Sequence, residues 1–295
     1  MWVTVFRRRL AVYVVRFPAR PLQLFIECFW FLRTEVSPPQ QLEEHIFTDG
    51  RADIVLSFGS PYLRSRAGRE DHAQLVRSNL DAQRRYPVNI IQQGQIDLIG
   101  VRFRPGGLAA FVRVPVGELD GLTLGLREVF GQAGDDLEQR LYEAAGRHDL
   151  QVRLLNGFFM GMLEVPEEHK LVARIAATIE RQRGQVSVHG LGDMYGYSIR
   201  TLDRQFRQVM GFPPKFYART VRFRHALNCL VHDPAVEWVD IVATCGYYDQ
   251  PHFIKEFVEF TGTQPEAYRA RLWDDGVPSA PNYVQFLQDN AEQMS

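Results

Sequence analysis

Three cysteines are the most reactive side chains in this 295-residue sequence, as nucleophiles or as metal ligands. Cys28, Cys229 and Cys245 form no CxxC pair, so their spacing predicts neither a disulfide framework nor a zinc cluster. Reduced thiols of this kind are typical of a cytoplasmic protein. The sequence also contains no GxSxG, HExxH or P-loop pattern. We therefore expect a protein that is not an enzyme and that has no cofactor and no metal ion.

The charged side chains are distributed unevenly, although the whole chain has a net charge of −1. Residues 169–273 contain 14 Lys and Arg against 10 Asp and Glu, a net charge of +4, whereas the rest of the chain carries 20 against 25, a net charge of −5. A basic module attached to an acidic remainder is what a DNA-binding domain beside another domain would show. Many enzyme domains are as basic, so charge alone does not decide the function.

The elements that position these basic side chains form an internal repeat with an offset of 51 residues. Seven pairs of positions keep that offset, and the two members of each pair share a chemical role. The pairs are Ser198 with Asp249, Leu202 with Phe253, Arg204 with Lys255, Phe206 with Phe257, Gly211 with Gly262, Pro214 with Pro265, and Tyr217 with Tyr268. The alternative is accidental similarity within a generic helical bundle, and the matched roles argue against it.

The paired roles describe two helix-turn-helix units. Ser198 and Asp249 are N-cap residues, whose side-chain oxygens satisfy the first free amides of a helix. Apolar residues four and eight positions later would lie on one helix face and pack against the preceding helix. Gly196 and Gly246 precede the caps, where a turn between two nearly perpendicular helices needs a residue that tolerates a positive φ. Each second helix would end at a glycine and be followed by a proline.

The segment from His169 to Leu272 resembles the DNA-binding domain of the AraC/XylS family of transcription regulators. The resemblance is closest in the run Gly246-Tyr-Tyr-Asp-Gln-Pro-His-Phe253, which is followed by Phe257, Gly262, Pro265, Tyr268 and Arg269. The sequence departs from the family at four packing or capping positions, so the expected fold is unaffected. Gly192 and Val242 replace a usual alanine, Tyr247 a usual phenylalanine, and Pro251 a usual serine.

In a helix-turn-helix unit the second helix lies in the major groove, and residues near its N-terminus contact base edges. Arginine can bond bidentately to guanine, glutamine suits adenine, and aspartate accepts from cytosine or orients a neighbouring arginine. Some of these side chains, Arg207 and Lys255 for example, could instead contact only phosphate, which adds affinity without sequence choice. The residues expected to contact DNA are Arg200, Thr201, Asp203, Arg204 and Arg207 in the first unit, and Gln250, His252 and Lys255 in the second.

Residues 215–231, between the two units, have apolar side chains at helical spacing. The family resemblance implies one long helix here, which would hold the two units so that they enter successive major grooves about 34 Å apart. Arg219, Arg222 and Arg224 would either contact backbone phosphates or form a solvated face, and the second alternative is favoured for Arg224.

The front of the chain, over residues 1–115, is predicted to be mainly β, because short runs rich in Val, Ile and Phe alternate with turn residues. The expected fold class is α+β. A β-rich domain with C-terminal helices covers residues 1–165, and a barrel, a sandwich or a cupin-like half-barrel would fit it. The all-α domain over residues 169–273 and a loosely ordered tail over 274–295 complete the chain. The predicted strands are Leu10–Phe17, Cys28–Leu32, Ile54–Phe58, Asn89–Gln92 and Leu98–Phe103, and the helices that follow are Asp136–Ala145 and Gln151–Leu163.

AraC-type regulators generally carry an effector-binding or dimerising domain, and the stretches 47–55 and 97–107 resemble the β-rich domain of a subgroup of them. Two alternatives stay open for Arg102 and Arg104, which either line an effector pocket or alternate outward from a strand while Val101 and Phe103 point inward. A cupin-type metal site would need several histidines on nearby strands, and only two precede His148. The candidate effector-binding residues are Trp30, His45, Asp53, Phe58, Arg102 and Arg104.

The sequence thus predicts a cytoplasmic, sequence-specific DNA-binding transcription regulator, controlled through its front domain by an effector or a partner. Double-stranded DNA and a small-molecule effector are the expected partners, and RNA polymerase and a second copy of the chain are further candidates. No membrane partner is expected, because the apolar run Leu10–Val15 is too short for a signal peptide or a membrane span.

Two other functions remain as alternatives. The first is a constitutive DNA-binding regulator whose front domain only dimerises, for which residues 136–163 would supply the interface or form intradomain core. The second is a DNA-repair enzyme with an AraC-like DNA-reading module. That chemistry needs an activated cysteine, whereas Cys28 lies in an apolar run that is typical of a protein core.

Overall fold

The computed structural model describes residues 12–233 and 235–272, so the predicted tail over 274–295 and the start of the first predicted strand lie outside the described residues. The strands are β1 (Val12–Arg16), β2 (Ile26–Val36), β3 (Leu42–Ile46), β4 (Asp53–Ser57), β5 (Tyr62–Arg66), β6 (Arg69–Val76), β7 (Asn79–Asp81), β8 (Val88–Gln92), β9 (Gly94–Phe103) and β10 (Thr123–Leu124). The helices are α1 (Leu126–Phe130), α2 (Gln132–Glu143), α3 (His148–Met162), α4 (Glu167–Arg181), α5 (Val188–Tyr195), α6 (Ile199–Met210), α7 (Pro214–His232), α8 (Trp238–Cys245), α9 (Gln250–Thr261) and α10 (Pro265–Leu272). This order confirms a β-rich region that is followed by helices.

The strands form two antiparallel sheets. One has six strands in the order β1-β2-β9-β4-β7-β10, and the other has four in the order β3-β8-β5-β6. Side chains of the two sheets meet, since Leu42 of β3 packs with Trp30 of β2 against a small apolar cluster. The amide of Asn79 on β7 also donates to the hydroxyl of Tyr62 on β5 at 2.6 Å.

Helices cover the other face of the six-stranded sheet. Phe29 of β2 stacks on Phe159 of α3 with ring centroids 6.5 Å apart, and Phe103 of β9 meets the same ring edge-on at 5.9 Å. Both faces of β2 and β9 are therefore covered, which explains why their sequences are apolar runs rather than alternating patterns. Four apolar side chains of α2 and α3 are buried here, and four more pack half-buried against the core, so these helices contribute to the core of the domain. The buried ones are Leu137, Leu141, Leu155 and Phe159, and the half-buried ones are Val152, Leu154, Phe158 and Met162.

The C-terminal helices enclose an aromatic core. The ring of Phe223 on α7 lies 5.5 Å from that of Phe257 and 5.1 Å from that of Phe260, both on α9. Phe47, from the loop between β3 and β4, reaches the same Phe223 ring at 5.7 Å. The buried side chains of the β-rich part and of the helical part consequently form one continuous core. None of the helices that the structure describes is both long enough and apolar enough to cross a bilayer.

Candidate DNA-binding surface

Helices α5 and α6 form one helix-turn-helix unit, and α8 and α9 form the second. Gly196 and Gly246 end the first helix of each unit at φ +73° and +70°, in the left-handed conformation that glycine adopts at little cost. The hydroxyl of Ser198 accepts a hydrogen bond from the Thr201 amide at 3.2 Å, and Asp249 accepts one from the His252 amide at 2.8 Å. The predicted N-caps and turns of both units are therefore confirmed.

The second helices, α6 and α9, both have twelve residues and are related by the 51-residue offset. Their inner face is closed, because Leu202, Phe206, Phe253 and Phe257 are each at most 1% exposed. Their outer face is polar and open to solvent. We call this outer face the recognition face, and its exposed members are Arg200, Arg204, Gln250 and Lys255, with Asp203 half-exposed beside the two arginines.

Three of the eight residues predicted to contact DNA interact instead with other parts of the protein. The Thr201 hydroxyl hydrogen-bonds the Ser198 hydroxyl at 2.9 Å, so it belongs to the cap. The His252 ring faces its own turn, where its Nδ1 accepts from the Tyr248 amide at 3.4 Å. Arg207, although exposed, lies at the C-terminal end of α6 in the electrostatic field of Asp120 from the β-rich part.

The arginines of the long helix α7 pair with carboxylates. Arg219 and Arg222 both contact Glu256 of α9 at 2.8 Å, and Glu256 is only 1% exposed. Arg224 pairs with Glu180 of α4 at 3.0 Å, and its side chain is 14% exposed. Neither sequence-based alternative, phosphate contact or a solvated face, describes these three residues. The local sequence concealed the pairing because each carboxylate lies more than thirty residues away in the chain.

Two tyrosines extend the recognition face and were missed by the sequence analysis. Tyr197 is 42% exposed and Tyr248 is 91% exposed, and each immediately precedes the N-cap residue of its recognition helix. They are separated by the same 51 residues as the seven matched pairs, which is the signal that would have identified them. Large aromatic side chains on the surface beside two helix N-termini are typical of a binding surface.

The predicted effector residues Asp53 and Arg102 lie in a buried group of four acids and four arginines. We call this group the ionic cluster, and it consists of Glu27, Asp49, Asp53, Asp81, Arg51, Arg64, Arg84 and Arg102. Arg102 is 4% exposed, contacts Asp49 and lies 3.3 Å from Asp53. The outward-pointing alternative is therefore wrong for Arg102, because the second sheet and the β3–β4 loop cover the strand face that carries it.

The pKa values of three carboxyl groups in the ionic cluster are shifted in different directions. Burial raises the pKa of Asp53 to about 6, against the opposing field of Arg102. Burial also acts on Asp49, but the charges of Arg102 and Arg51 outweigh it and lower the pKa of that carboxyl. Glu27 behaves like Asp49, since Arg51 and Arg102 lower its pKa despite burial.

The other predicted effector residues do not converge on one place. Trp30 packs against Gly100, which lies two residues before Arg102 on β9 and therefore on the same face of the sheet. The Phe58 ring lies 5.9 Å from Tyr142 of α2, and Arg104 lies exposed in a surface depression beside Arg20. His45 contacts Asn89 and the backbone carbonyl of Thr261.

The β-rich part contacts the C-terminal ends of both recognition helices. His45 contacts the carbonyl of Thr261, and the Thr48 amide donates to the carbonyl of Phe260 at 3.2 Å, both at the end of α9. The 3-10 turn Val116–Leu119 packs on α6 so closely that a Cβ at Gly117 would lie 2.9 Å from the Arg207 carbonyl oxygen. Most of the recognition face lies at the N-terminal ends of α6 and α9, so the contacts with the β-rich part leave it uncovered.

Comparison with known proteins gives matches for both parts of the chain. Residues 191–271 match a family described as a helix-turn-helix domain, and residues 15–124 match a domain of unknown function (DUF6597). The HTH-type transcriptional activator RhaR of Escherichia coli (strain K12) is 33% identical over 100 residues, which cover 34% of this chain and 34% of RhaR. The match thus spans about a third of the length of this curated relative.

Two solved structures resemble larger parts of the chain at low identity. Unsaturated fatty acid bound wild-type ToxT from Vibrio cholerae strain SCE256 is 9% identical with a TM-score of 0.45, over 82% of this chain and 95% of ToxT. The AraC-like transcriptional activator CuxR is 11% identical with a TM-score of 0.29, over 75% of this chain and 86% of CuxR. With its two matched units and the family match over residues 191–271, the C-terminal part of this chain is a helix-turn-helix domain of the AraC type.

Proposed function

We propose that this chain is a sequence-specific DNA-binding transcription regulator that acts in the cytoplasm and is not an enzyme. The observation that carries the proposal is the repeat of a capped recognition helix, with the same length, the same buried face and an exposed polar face in both units. Two such helices on one continuous core suit two elements of a duplex that lie one helical turn apart. The helical turn of the duplex then sets the spacing between the two elements, and the polar side chains choose the bases.

Arg200 and Arg204 are the proposed guanine readers of the first unit, and Gln250 is the proposed adenine reader of the second. Arg200 and Arg204 lie one helical turn apart on the same exposed face, with Asp203 beside them to orient a guanidinium. Lys255 and Arg207 would contribute phosphate contacts, which add affinity and salt dependence. Thr201 and His252 would act chiefly through the helix caps beside which they lie.

The test is selection of bound sequences from random duplex DNA by the full-length protein, repeated with Arg204→Ala. We expect a motif of two elements, and we expect the variant to lose preference at one position of one element, at a cost of about 1–3 kcal/mol for that base pair. Arg153→Ala is the matched control, since Arg153 is an exposed arginine on α3 of the β-rich part. A motif unchanged by Arg204→Ala would contradict the assignment of Arg204.

The β-rich domain is proposed to control the readers rather than merely to accompany them. Its support is the set of contacts that this domain makes with the C-terminal ends of α6 and α9, which a domain used only for dimerisation would not need. A small effector, if one binds, would act near Trp30, Asp53 and Arg102, which share one face of the sheet. RNA polymerase and a second copy of the chain remain proposed partners.

The alternative of a constitutive binder makes a different prediction for the same selection. Under this alternative, neither the selected motif nor the affinity of the protein for DNA depends on the β-rich domain, whatever small molecule is added. The DNA-repair alternative has less support, because Cys28 is fully buried in the core of the β-rich domain, where a substrate cannot reach its thiol.

A further inference from the structure

Helix α7 and the first helix of the second unit, α8, meet at a group of metal-ligating side chains. His225 and Cys229 lie on α7 four residues apart, hence on the same helix face, and Cys245 lies at the end of α8. One potential ligand atom from each of the three lies within 4.8 Å of the others. We propose that His225, Cys229 and Cys245 bind one thiophilic metal ion, Zn²⁺ or Cu⁺, and we call this group the Cys2His site.

The donor set suits such a cation. Two thiolates and one imidazole are ligands that Zn²⁺ and Cu⁺ both prefer, whereas Mg²⁺ and Ca²⁺ prefer oxygen ligands. Tetrahedral Zn²⁺ with its usual bond lengths holds S and N ligands about 3.5–3.8 Å apart. The present separations are all within 4.8 Å, so rotations about the side-chain bonds need to shorten them by at most about 1 Å. Three protein ligands would leave a fourth position of Zn²⁺ to water.

Positively charged side chains lie around the two cysteines of the Cys2His site. The thiols of Cys229 and Cys245 share a hydrogen bond, and Arg183 and His232 place positive charge near Cys229. Arg183 and Arg222 place positive charge near Cys245 as well, although the hydrogen bond with Cys229 and burial raise the pKa of that thiol, so the ion must displace its proton. Arg183 Nη1 lies 3.4 Å from His225 Nε2, and since Arg183 is exposed it can turn to solvent when a cation arrives.

Binding is an acid–base exchange and needs no oxidant. Each thiol releases its proton to water, and each sulfur lone pair is shared with the cation, as is a lone pair of the neutral imidazole. For Zn²⁺ the two new negative charges balance the charge of the ion. The bound ion would fasten α8 to α7 and so fix the second unit relative to the helix that links the two units.

The sequence spacing concealed this site. The search for a CxxC pair tests ligands that are neighbours in the chain, whereas here the turn after α7 brings Cys245 back to the helix that carries the other two. The i, i+4 spacing of His225 and Cys229 on a predicted helix was the signal that sequence analysis could have used.

The test is metal titration of the reduced full-length protein, with Zn²⁺ in competition with a chromophoric chelator and, in a second arm, with Cu⁺ under anaerobic conditions. We expect stoichiometric binding of at least one of the two ions, and the arms show which. Cys229→Ser and His225→Gln, both at half-buried positions, should each weaken binding at least about 100-fold, because loss of a direct ligand costs more than loss of an outer-shell partner. His189→Gln is the matched control, since His189 is an exposed histidine on α5.

Co²⁺ in place of Zn²⁺ gives a second readout that does not depend on the chelator. We expect a thiolate-to-cobalt absorption band in the wild type and in His189→Gln, and its loss in Cys229→Ser. Far-UV circular dichroism of the variants without metal shows whether they keep the wild-type fold. The proposal is overturned if neither ion binds stoichiometrically, or if binding survives in both ligand variants. None of these outcomes depends on whether the protein binds DNA.

Discussion

Burial makes the ionisation of Asp53 in the β-rich domain unfavourable. Its carboxyl shares Arg102 with Asp49, lies 3.3 Å from the guanidinium and is 19% exposed. Burial raises its pKa to about 6, well above the ordinary value for an aspartate, so the folded state binds the proton more tightly than the unfolded chain does. This contribution to stability is therefore present at low pH and is lost as the pH rises through about 6.

Asp53→Asn should remove that contribution. Between about pH 7.5 and pH 5.5, ionisation of Asp53 alone should make the wild type more stable by about 1 kcal/mol at the lower pH, and the variant should lack this gain. The measurement is the urea midpoint of both proteins at both pH values. Titration of all other groups is common to the two proteins, so their difference isolates Asp53. An identical pH dependence in the two proteins would show that Asp53 is ionised throughout this range.

Helix α9 is held against α7 by charges as well as by aromatic packing. Glu256 is 1% exposed and contacts two guanidinium groups, those of Arg219 and Arg222. Its neighbour on the next turn, Glu259, contacts Arg219 at 2.5 Å but is 42% exposed. A carboxylate that is buried with its partners is costly to remove, because the cations stay behind without it, whereas water replaces an exposed one.

Glu256→Gln should therefore destabilise the protein by about 3–5 kcal/mol, and Glu259→Gln by less than about 1 kcal/mol. Chemical denaturation of both variants measures this difference on one helix with the same chemical change. Because α9 carries Gln250 and Lys255, we also expect Glu256→Gln to weaken DNA binding more than Glu259→Gln does. Equal losses of stability would show that the Glu256 ion pairs are as weak as surface pairs.

The two parts of the molecule share a core, so the position of the recognition helices depends on the β-rich domain. The turn at Val116–Leu119 lies against the Arg207 carbonyl, where Gly117 leaves room for no side chain. A methyl group there forces the turn and the end of α6 apart, and overpacking of this kind costs about 1–3 kcal/mol.

Gly117→Ala should consequently lower both stability and affinity for a two-element duplex, because α6 is no longer held in place for binding. Gly157→Ala is the control, since a Cβ at Gly157 on α3 meets no atom within 4 Å and an alanine there favours the helix. Urea denaturation and DNA titration of the two variants measure both effects. A destabilised Gly117→Ala protein with wild-type affinity would mean that the domain contact stabilises the fold without positioning the reader.

The strands were predicted less completely than the helices. The five predicted strands correspond to β1, β2, β4, β8 and β9, whereas β3, β5, β6, β7 and β10 were not identified. Polar residues fill several of these, as in Leu42–Ile46 with its Glu43, Glu44 and His45, so no apolar run marks them. They form strands because neighbouring strands supply hydrogen-bonding partners, and this information lies in other parts of the chain.

The sequence by itself determined the two helix-turn-helix units, because caps, turn glycines and the spacing of buried residues are local properties that act within a few residues. It therefore predicted the exposed positions Arg200, Arg204, Gln250 and Lys255. Only the tertiary structure decided which polar side chains meet: Arg102 with Asp49 and Asp53, Arg219 and Arg222 with Glu256, and His225 with Cys229 and Cys245. Such pairings depend on how distant elements pack, and the energy of a charge is set by the partners and the burial that packing provides.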